Sequence, residues 1–217
     1  MIDTLIIGAG GHGKVVLDIL QSAAKYRPVG FIDADPKLAG TKVGGLPVFG
    51  AIHLLSRMVT QHRIAAAIIA IGDNRARASY SRALDEARLP LINAIHKSAV
   101  VSPTARLGRN VVIAANAVVC TEATLGDFAI INTAATVDHE CEIGSAVHIC
   151  PGAHLAGRVR VDSGGFIGLG ANVIQCLRIG AGAIVGAGAV VLTDVPAGST
   201  AVGLPARVIK ASHLSAA

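Results

Sequence analysis

Val137-Asp138-His139-Glu140-Cys141-Glu142-Ile143-Gly144-Ser145-Ala146-Val147-His148-Ile149-Cys150-Pro151-Gly152-Ala153-His154-Leu155 carries an aliphatic residue at every sixth position, and the register runs on unbroken in both directions. Upstream it passes through Ile131, Leu125, Val119, Ile113 and Leu107 to Val101, and downstream through Val161, Ile167, Val173, Ile179 and Val185 to Val191. Sixteen consecutive hexads thus hold Val, Ile or Leu. Four residues after each stands a second inward position, small at Ala117, Ala123, Ala129, Ala135, Cys141 and Ala153, with Leu177 the one bulky exception. A period of six is neither helical nor a plain strand alternation; it is the repeat of the hexapeptide parallel β-helix, one short strand and one turn per hexad. Three hexads close a triangular coil, and at a strand spacing of about 4.8 Å the repeat predicts about five coils in a solid prism roughly 25 Å tall. Gly108, Gly126, Gly144, Gly168, Gly180 and Gly186, each directly after an aliphatic, are expected to supply turn conformations that bulkier residues resist.

The register begins abruptly near Ser98, so the sequence predicts two domains, residues 1–97 and 98–195, with a tail of residues 196–217 packing on the β-helix. Residues 1–97 hold 12 Lys or Arg against 7 Asp or Glu, whereas residues 98–217 hold 7 of each. The excess basicity is dispersed and comes with only 3% aromatics, which does not suit a nucleic-acid groove and does suit a phosphorylated small molecule. Mean hydropathy is +0.59, but no apolar run reaches the length of about 18 that spanning requires, so no membrane partner is expected. The start of the chain shows no signal-peptide pattern, and the expected location is the cytoplasm. Cys120, Cys141, Cys150 and Cys176 lack paired metal-ligand spacing; they read as small hydrophobes, and no metal is expected.

In the first domain Gly8-Ala9-Gly10-Gly11-His12-Gly13 fits G-x-G-x-x-G between the strand-like Thr4-Leu5-Ile6-Ile7 and a helix. Such glycines let a phosphate approach backbone N–H groups at a positive helix end. Asp33 closes a second strand, residues 29–33, where a ribose-binding acid would stand. A buried strand over 64–71, helices over 51–62 and 75–88 and a short strand near Leu91 complete half a Rossmann fold. That is too little for a dehydrogenase and enough for a nucleotide diphosphate. The loop Ile71-Gly72-Asp73-Asn74-Arg75 lies at a strand's carboxyl end, the other ligand-binding position of such sheets.

Within the repeat, one turn crowds acids around a histidine. Val137 and Cys141 are the inward pair, so His139 faces outward with Asp138 and Glu140 beside it. A carboxylate on one ring nitrogen fixes the tautomer and leaves the other nitrogen as a base. One coil above His139 comes Gly157, whose N–H could stabilise an oxyanion, an arrangement suited to acyl transfer.

The Gly-Gly-His-Gly loop, Ala70-Ile71-Gly72-Asp73-Asn74-Arg75, Asn93-Ala94-Ile95-His96, Val137-Asp138-His139-Glu140-Cys141 and the terminal Gly203-Leu204-Pro205-Ala206 together resemble the sialic-acid O-acetyltransferase family of bacterial nucleotide-sugar acetyltransferases. Its members include acetyltransferases of UDP-4-amino-sugars and of GDP-perosamine. The resemblance implies a small Rossmann-like α/β domain followed by a left-handed β-helix, a homotrimer with sites between neighbouring β-helices, acetyl-CoA as cosubstrate, and N-acetylation of a nucleotide-linked 4-amino-sugar for surface glycans. It implies His139 as general base, Glu140 as its orienting partner and Gly157 as oxyanion donor. His148, Gly157, Gly203 and Pro205 would meet acetyl-CoA, and Gly10, Gly11, His12, Gly13, Asp33, Asp35, Asp73 and Asn74 the nucleotide sugar. One departure stands out: the UDP-using branch often carries a second acid directly after the strand acid, where this chain has Ala34. Three other readings stay open at this point. They are O-acetylation of a sugar hydroxyl, a γ-type carbonic anhydrase using His139, His148 and His154, and a nucleotide-sugar-binding scaffold without catalysis.

Overall fold

The computed structural model describes residues 1–23, 25–80, 84 and 88–210. The chain divides into two compact units, Met1–Lys97 and Ser98–Ala217.

In the first unit β1 (Ile2–Ile7) leads through the glycine loop into α1 (Gly11–Ala23) and returns as β2 (Tyr26–Ile32). β3 (Lys42–Val43) and β4 (Leu46–Pro47) form an antiparallel hairpin that the sequence reading did not anticipate. A 3-10 turn (Ile52–Leu54) runs into α2 (Leu55–His62), so the helix expected over 51–62 starts later than its first residues. β5 (Ala66–Ile69), α3 (Asn74–Ser79) and β6 (Ala94–Ile95) follow. Of the helix expected over 75–88, residues 81–83 and 85–87 lie outside the described residues. The strand expected near Leu91 is reduced to a single parallel bridge to Ala67.

β1 is the central strand of a parallel sheet of order β2-β1-β5. Its residues Leu5, Ile6 and Ile7 are buried on both faces, as a parallel strand requires, and Val16, Leu17, Ile19 and Leu20 of α1 are buried at a helical spacing. The chain leaves β1 towards β2 on one side and reaches β5 on the other. The order therefore reverses at β1, and the loops after β1 and β5 flank the crevice where open α/β sheets take ligands.

The second unit is a parallel β-helix of hexapeptide repeats. Sixteen two-residue strands, β7 (Val100–Val101) to β22 (Val190–Val191), recur every six residues and pair in parallel with the strand 18 residues on, as in Val119↔Val137 and Val137↔Leu155. They stack into three faces. The first holds β7, β10, β13, β16, β19 and β22, and the second holds β8, β11, β14, β17 and β20. The third holds β9, β12, β15, β18 and β21 and is prolonged by β23 (Thr200–Gly203), parallel to β21, and β24 (Ala206–Lys210), antiparallel to β23. Ala201 thus continues the inward row through Val185, and the solenoid climbs beyond the last aliphatic hexad. Residues 211–217 of the expected tail lie outside the described residues.

The aliphatic row is buried from Ile113 to Val191, while Val101 and Leu107 at the first coil are partly exposed. Bulky Leu177 is likewise only partly buried, because the small inward slot cannot hold it.

The glycines after the aliphatic positions have a different cause from the one expected. None of Gly108, Gly126, Gly144, Gly168 and Gly180 has a left-handed φ; a Cβ on Gly126 or Gly144 would come within 2.6 Å of the backbone of the next coil. They are glycines because the coils stack that closely. Left-handed φ falls two residues later, largely on other side chains, including Glu122 (59°), Phe128 (64°), Glu140 (57°) and Arg158 (58°). Such residues strain the backbone by about 1 kcal/mol or more each. Their N–H groups are held by the coil beneath, as in Phe128 N–H to Arg109 O (2.8 Å) and Ala146 N–H to Asp127 O (2.8 Å).

Candidate functional site

The turn between β13 (Thr136–Val137) and β14 (Glu142–Ile143) carries the candidate base. Val137 and Cys141 are fully buried and pin both ends of the turn, which leaves His139 facing out. Its backbone is fixed from both sides along the stack: Arg158 N–H donates to His139 O at 2.9 Å, and Glu140 N–H donates to Thr121 O at 3.0 Å. The His139 N–H donates to Asp138 Oδ1 at 2.7 Å. The left-handed Glu140 brings its carboxylate back to the neighbouring ring, where His139 Nδ1 meets Glu140 Oε2 at 2.9 Å. A carboxylate only accepts, so Nδ1 carries the proton and Nε2 keeps its lone pair.

Gly157 packs over the face of this ring. A Cβ built on Gly157 would lie 2.3 Å from His139 Nε2 and 2.5 Å from Cε1, so the space over the ring exists only because residue 157 has no side chain. The 18-residue repeat stacks the two positions, and Gly157 O accepts from Cys176 N–H in the following coil at 3.0 Å. The imidazole is 43% and the Glu140 side chain 48% exposed, so the base stands on open surface within one chain.

Beside it runs an open groove of about 440 Å³ along the first face, lined by Cys120, Thr136, Asp138, His154, Ala156 and Asn172 among others. Thr136 Oγ1 and His154 Nδ1 are 2.9 Å apart. Sequence reading missed this ladder because the outward strand position carries no periodic signal; the 18-residue offset of Thr136, His154 and Asn172 was the one available clue.

His148 lies elsewhere. On β15 (His148–Ile149) its Nε2 is 3.1 Å from Asn132 Nδ2 and its ring packs edge-on against Phe166 at 5.4 Å, on the third face and away from the His139 turn. His139, His148 and His154 thus occupy three different places in the chain, and among the described residues no group of three His, Cys, Asp or Glu is placed to hold a metal ion. Gly203 and Pro205 flank exposed Leu204 between β23 and β24, three to four rungs above His139, roughly 17 Å at about 4.8 Å per rung. Cys141 Sγ donates to Ala156 O at 3.2 Å, and burial pushes its thiol pKa up to about 11, which is the wrong state for a nucleophile.

In the first unit the glycines divide their work. Gly8 turns at φ +109°, and a Cβ there would strike Ala70 O at 2.7 Å; a Cβ on Gly13 would lie 2.1 Å from Gly8 O, so only glycine lets α1 pack this close to β1. Gly10 and Gly11 have open space where a Cβ would point, which leaves their backbone accessible at the start of α1. Asp33 clasps two loops together: Oδ2 accepts Ala9 N–H at 2.6 Å and Oδ1 accepts Asp35 N–H at 2.8 Å. Asp35 accepts Lys37 N–H at 2.9 Å, and Asp73 caps α3 by accepting Ala76 N–H at 2.7 Å. His12 is in the first turn of α1. Burial, aided by the Arg77 guanidinium, lowers its pKa to about 4, so at neutral pH it offers a hydrogen bond and no charge. Arg77 itself is fully buried and was absent from the candidates.

Known proteins resemble the chain over both units. Residues 3–84 match the family described as PglD N-terminal domain. A curated UDP-N-acetylbacillosamine N-acetyltransferase of Bacillus subtilis is 36% identical over 119 residues, and the match spans about half of each chain, 53% of this one and 52% of the relative. Among solved structures, PerB from Caulobacter crescentus, in complex with CoA and GDP-perosamine, is 42% identical with a TM-score of 0.89 over 96% of this chain and 97% of that one. The acetyltransferase domain of PglB from Neisseria gonorrhoeae is 38% identical with a TM-score of 0.88, over 96% of this chain and all of the other.

Proposed function

We propose, for a chain that belongs to the bacterial nucleotide-sugar acetyltransferases built on a hexapeptide-repeat β-helix, that it transfers the acetyl group of acetyl-CoA to the 4-amino group of a nucleotide-linked deoxysugar. The observation that carries this reading is the joint placement of a Glu140-oriented His139 and a side-chain-free Gly157 directly over its Nε2. The neutral sugar amine attacks the thioester carbonyl, forming the C–N bond. His139 Nε2 takes the amine proton, the oxyanion is met by the Gly157 N–H, and collapse breaks the C–S bond and releases the CoA thiolate. A correctly placed backbone donor contributes about 10² to 10³ in rate.

The nucleotide diphosphate rests on Gly10 to Gly13, with Asp33 and Asp35, Asp73 and Asn74 shaping the loops around it. The acyl donor's arm follows the groove along the first face, and its nucleotide end extends towards Gly203 and Pro205. The half-exposed base is completed by a neighbouring copy in a homotrimer, and that copy is also how His148 would reach an acetyl group from the third face. GDP-perosamine and UDP-4-amino-sugars head the substrate candidates, since relatives of both kinds match the chain. The protein acts in the cytoplasm, where acetyl-CoA and nucleotide sugars are made.

The deciding experiment incubates the protein with acetyl-CoA and GDP-, UDP- and dTDP-linked 4-amino-sugars, following thiol release and product mass. A gain of one acetyl group on an amine is the expected result. Turnover of hydroxyl acceptors alone would replace this reading with O-acetylation.

A further inference from the structure

The first face of the β-helix carries Val100, Val118, Thr136, His154, Asn172 and Val190 on its outward row. The polar members are confined to three successive rungs. Thr136 opens the strand that leads into the His139 turn, His154 opens β16 (His154–Leu155) that leads to Gly157, and Asn172 opens β19 (Asn172–Val173) in the coil above. None of the six is an acid, a lysine or an arginine, whereas the outward row of the second face holds Arg106, Glu142, Arg160 and Arg178. A row that answers only to water takes up charge readily, as the second face does. An uncharged run of hydrogen-bonding groups on a strip of valines suits an extended ligand that is polar and uncharged.

These side chains are oriented before any ligand arrives. Thr136 Oγ1 and His154 Nδ1 meet at 2.9 Å, which fixes the ring across two rungs and leaves Nε2 as the nitrogen that can meet a ligand. Asn172 Nδ2 donates to Gly170 O at 3.0 Å, which sets the amide and leaves its oxygen as an acceptor. All three line the open groove of about 440 Å³, a volume in the range of small-molecule sites. Asp138, next to His139 in the chain, lines the same groove. A carboxylate there opposes phosphate, so a donor with a diphosphate at one end lies with its uncharged thioester end beside Asp138.

The arm of a CoA thioester contains two amides separated by a β-alanine unit. Extended, that unit is one methylene longer than the about 3.8 Å of an α-peptide unit, so its amides repeat at roughly 5 Å. The coils repeat at about 4.8 Å, so consecutive rungs present one side chain to each amide.

We propose that His154 and Asn172 recognise the donor's arm: His154 Nε2 meets the amide nearer the thioester, Asn172 meets the next amide one rung up, and Thr136 positions His154, so that the thioester carbonyl is delivered to the Gly157 N–H. This rests on the acetyl-transfer reading above and names the side chains that hold its cosubstrate.

The test is calorimetric binding to the full chain of acetyl-CoA and of adenosine 3′,5′-bisphosphate, which keeps the phosphorylated end and lacks the arm. Wild type, His154→Leu and Asn172→Leu are compared, each with a thermal melt and with the KM for both substrates. Each variant is expected to bind acetyl-CoA about fivefold more weakly, the loss of one net hydrogen bond, and to bind the bisphosphate as wild type does. The KM for acetyl-CoA is expected to rise by the same factor while that for the nucleotide sugar stays unchanged. Wild-type affinity for acetyl-CoA in either variant, or an equal loss for the bisphosphate, overturns the proposal and leaves the acetyl-transfer reading standing. Should His154→Leu fail to fold, Asn172→Leu decides by the same two readings. If the wild type binds no acetyl-CoA at all, the acetyl-transfer reading falls and this proposal falls with it.

Discussion

Replacing Gly157 by alanine adds one methyl group at the most constrained point of the site. The new Cβ would stand 2.3 Å from His139 Nε2, 2.5 Å from Cε1 and 3.0 Å from Cδ2. Carbon and nitrogen atoms sit comfortably at about 3.5 Å, so the ring must retreat by about 1.2 Å. The 2.9 Å bond from Nδ1 to Glu140 Oε2 opposes any such retreat, and the turn itself is locked by buried Val137 and Cys141. A displacement of about 1 Å in a reacting group costs about 10² in rate, so kcat is expected to fall about 100-fold. Stability is expected to change little, because the φ of Gly157 lies outside the left-handed region and alanine adopts it without strain. Steady-state thiol release gives kcat and KM, and a thermal melt confirms the fold. The decisive control is Gly157→Ala combined with His139→Ala. If the methyl acts by displacing the ring, the double variant is no slower than His139→Ala alone. Wild-type kcat in Gly157→Ala would refute the steric reasoning outright, and a multiplicative loss in the double variant would show that the methyl acts on the oxyanion position.

Other consequences are equally measurable. His139→Ala is expected to lower kcat by at least ~10²-fold with an unchanged melt, and Glu140→Gln by about tenfold, since the latter removes only the orienting carboxylate; near-wild-type turnover in His139→Ala would remove it as the base. Burial pushes the thiols of Cys141 and Cys150 up to about 11, so iodoacetamide at neutral pH is expected to label exposed Cys176 and to spare both until the chain unfolds, as peptide mapping can read; Cys141→Ala should retain turnover. Burial and the Arg77 charge hold the pKa of His12 at about 4 against 6.5 unfolded, so the unfolded chain binds more protons between those values and stability falls as pH drops through that window, by about 3 kcal/mol in full. Urea melts of wild type and His12→Asn at neutral and acid pH check this, and an unchanged pH slope in the variant would contradict it. At Asp162 burial alone would raise the pKa, but hydrogen bonds from Arg178 and Arg160 outweigh it and lower the value below 3.8. The stabilisation is therefore present above pH 3.8 and lost in stronger acid, and Asp162→Asn is expected to cost about 0.5 to 1 kcal/mol at neutral pH, with the difference vanishing in acid.

Much of the molecule was legible in one dimension because its long-range order is itself periodic. A repeat of six puts residue 137 beside residues 119 and 155 without any folding calculation, so the stacking of Gly157 over His139 could be read from an offset of 18. The first unit was legible less far. Its glycine loop and buried strands carry local signals, but the hairpin of β3 and β4 rests on two-residue strands with no pattern of their own, and the bridge at Leu91 is set by its neighbour Ala67.

The sequence by itself determined the solenoid, the outward turn bearing His139 and the glycine loop, because each follows from spacing along the chain. Only the tertiary structure decided what depends on distances between coils or between loops. Gly126 and Gly144 answer to a coil 2.6 Å from their missing Cβ, and the left-handed φ falls instead on residues such as Glu140, which is what swings that carboxylate onto His139. His148 belongs to another face than His139, which residue spacing alone did not separate. Arg77, an ordinary basic residue in a helical stretch, becomes the buried grip on the β5 loop only when the oxygens of Ile71, Gly72 and Asn74 that its guanidinium meets converge in space, and no one-dimensional pattern encodes that convergence.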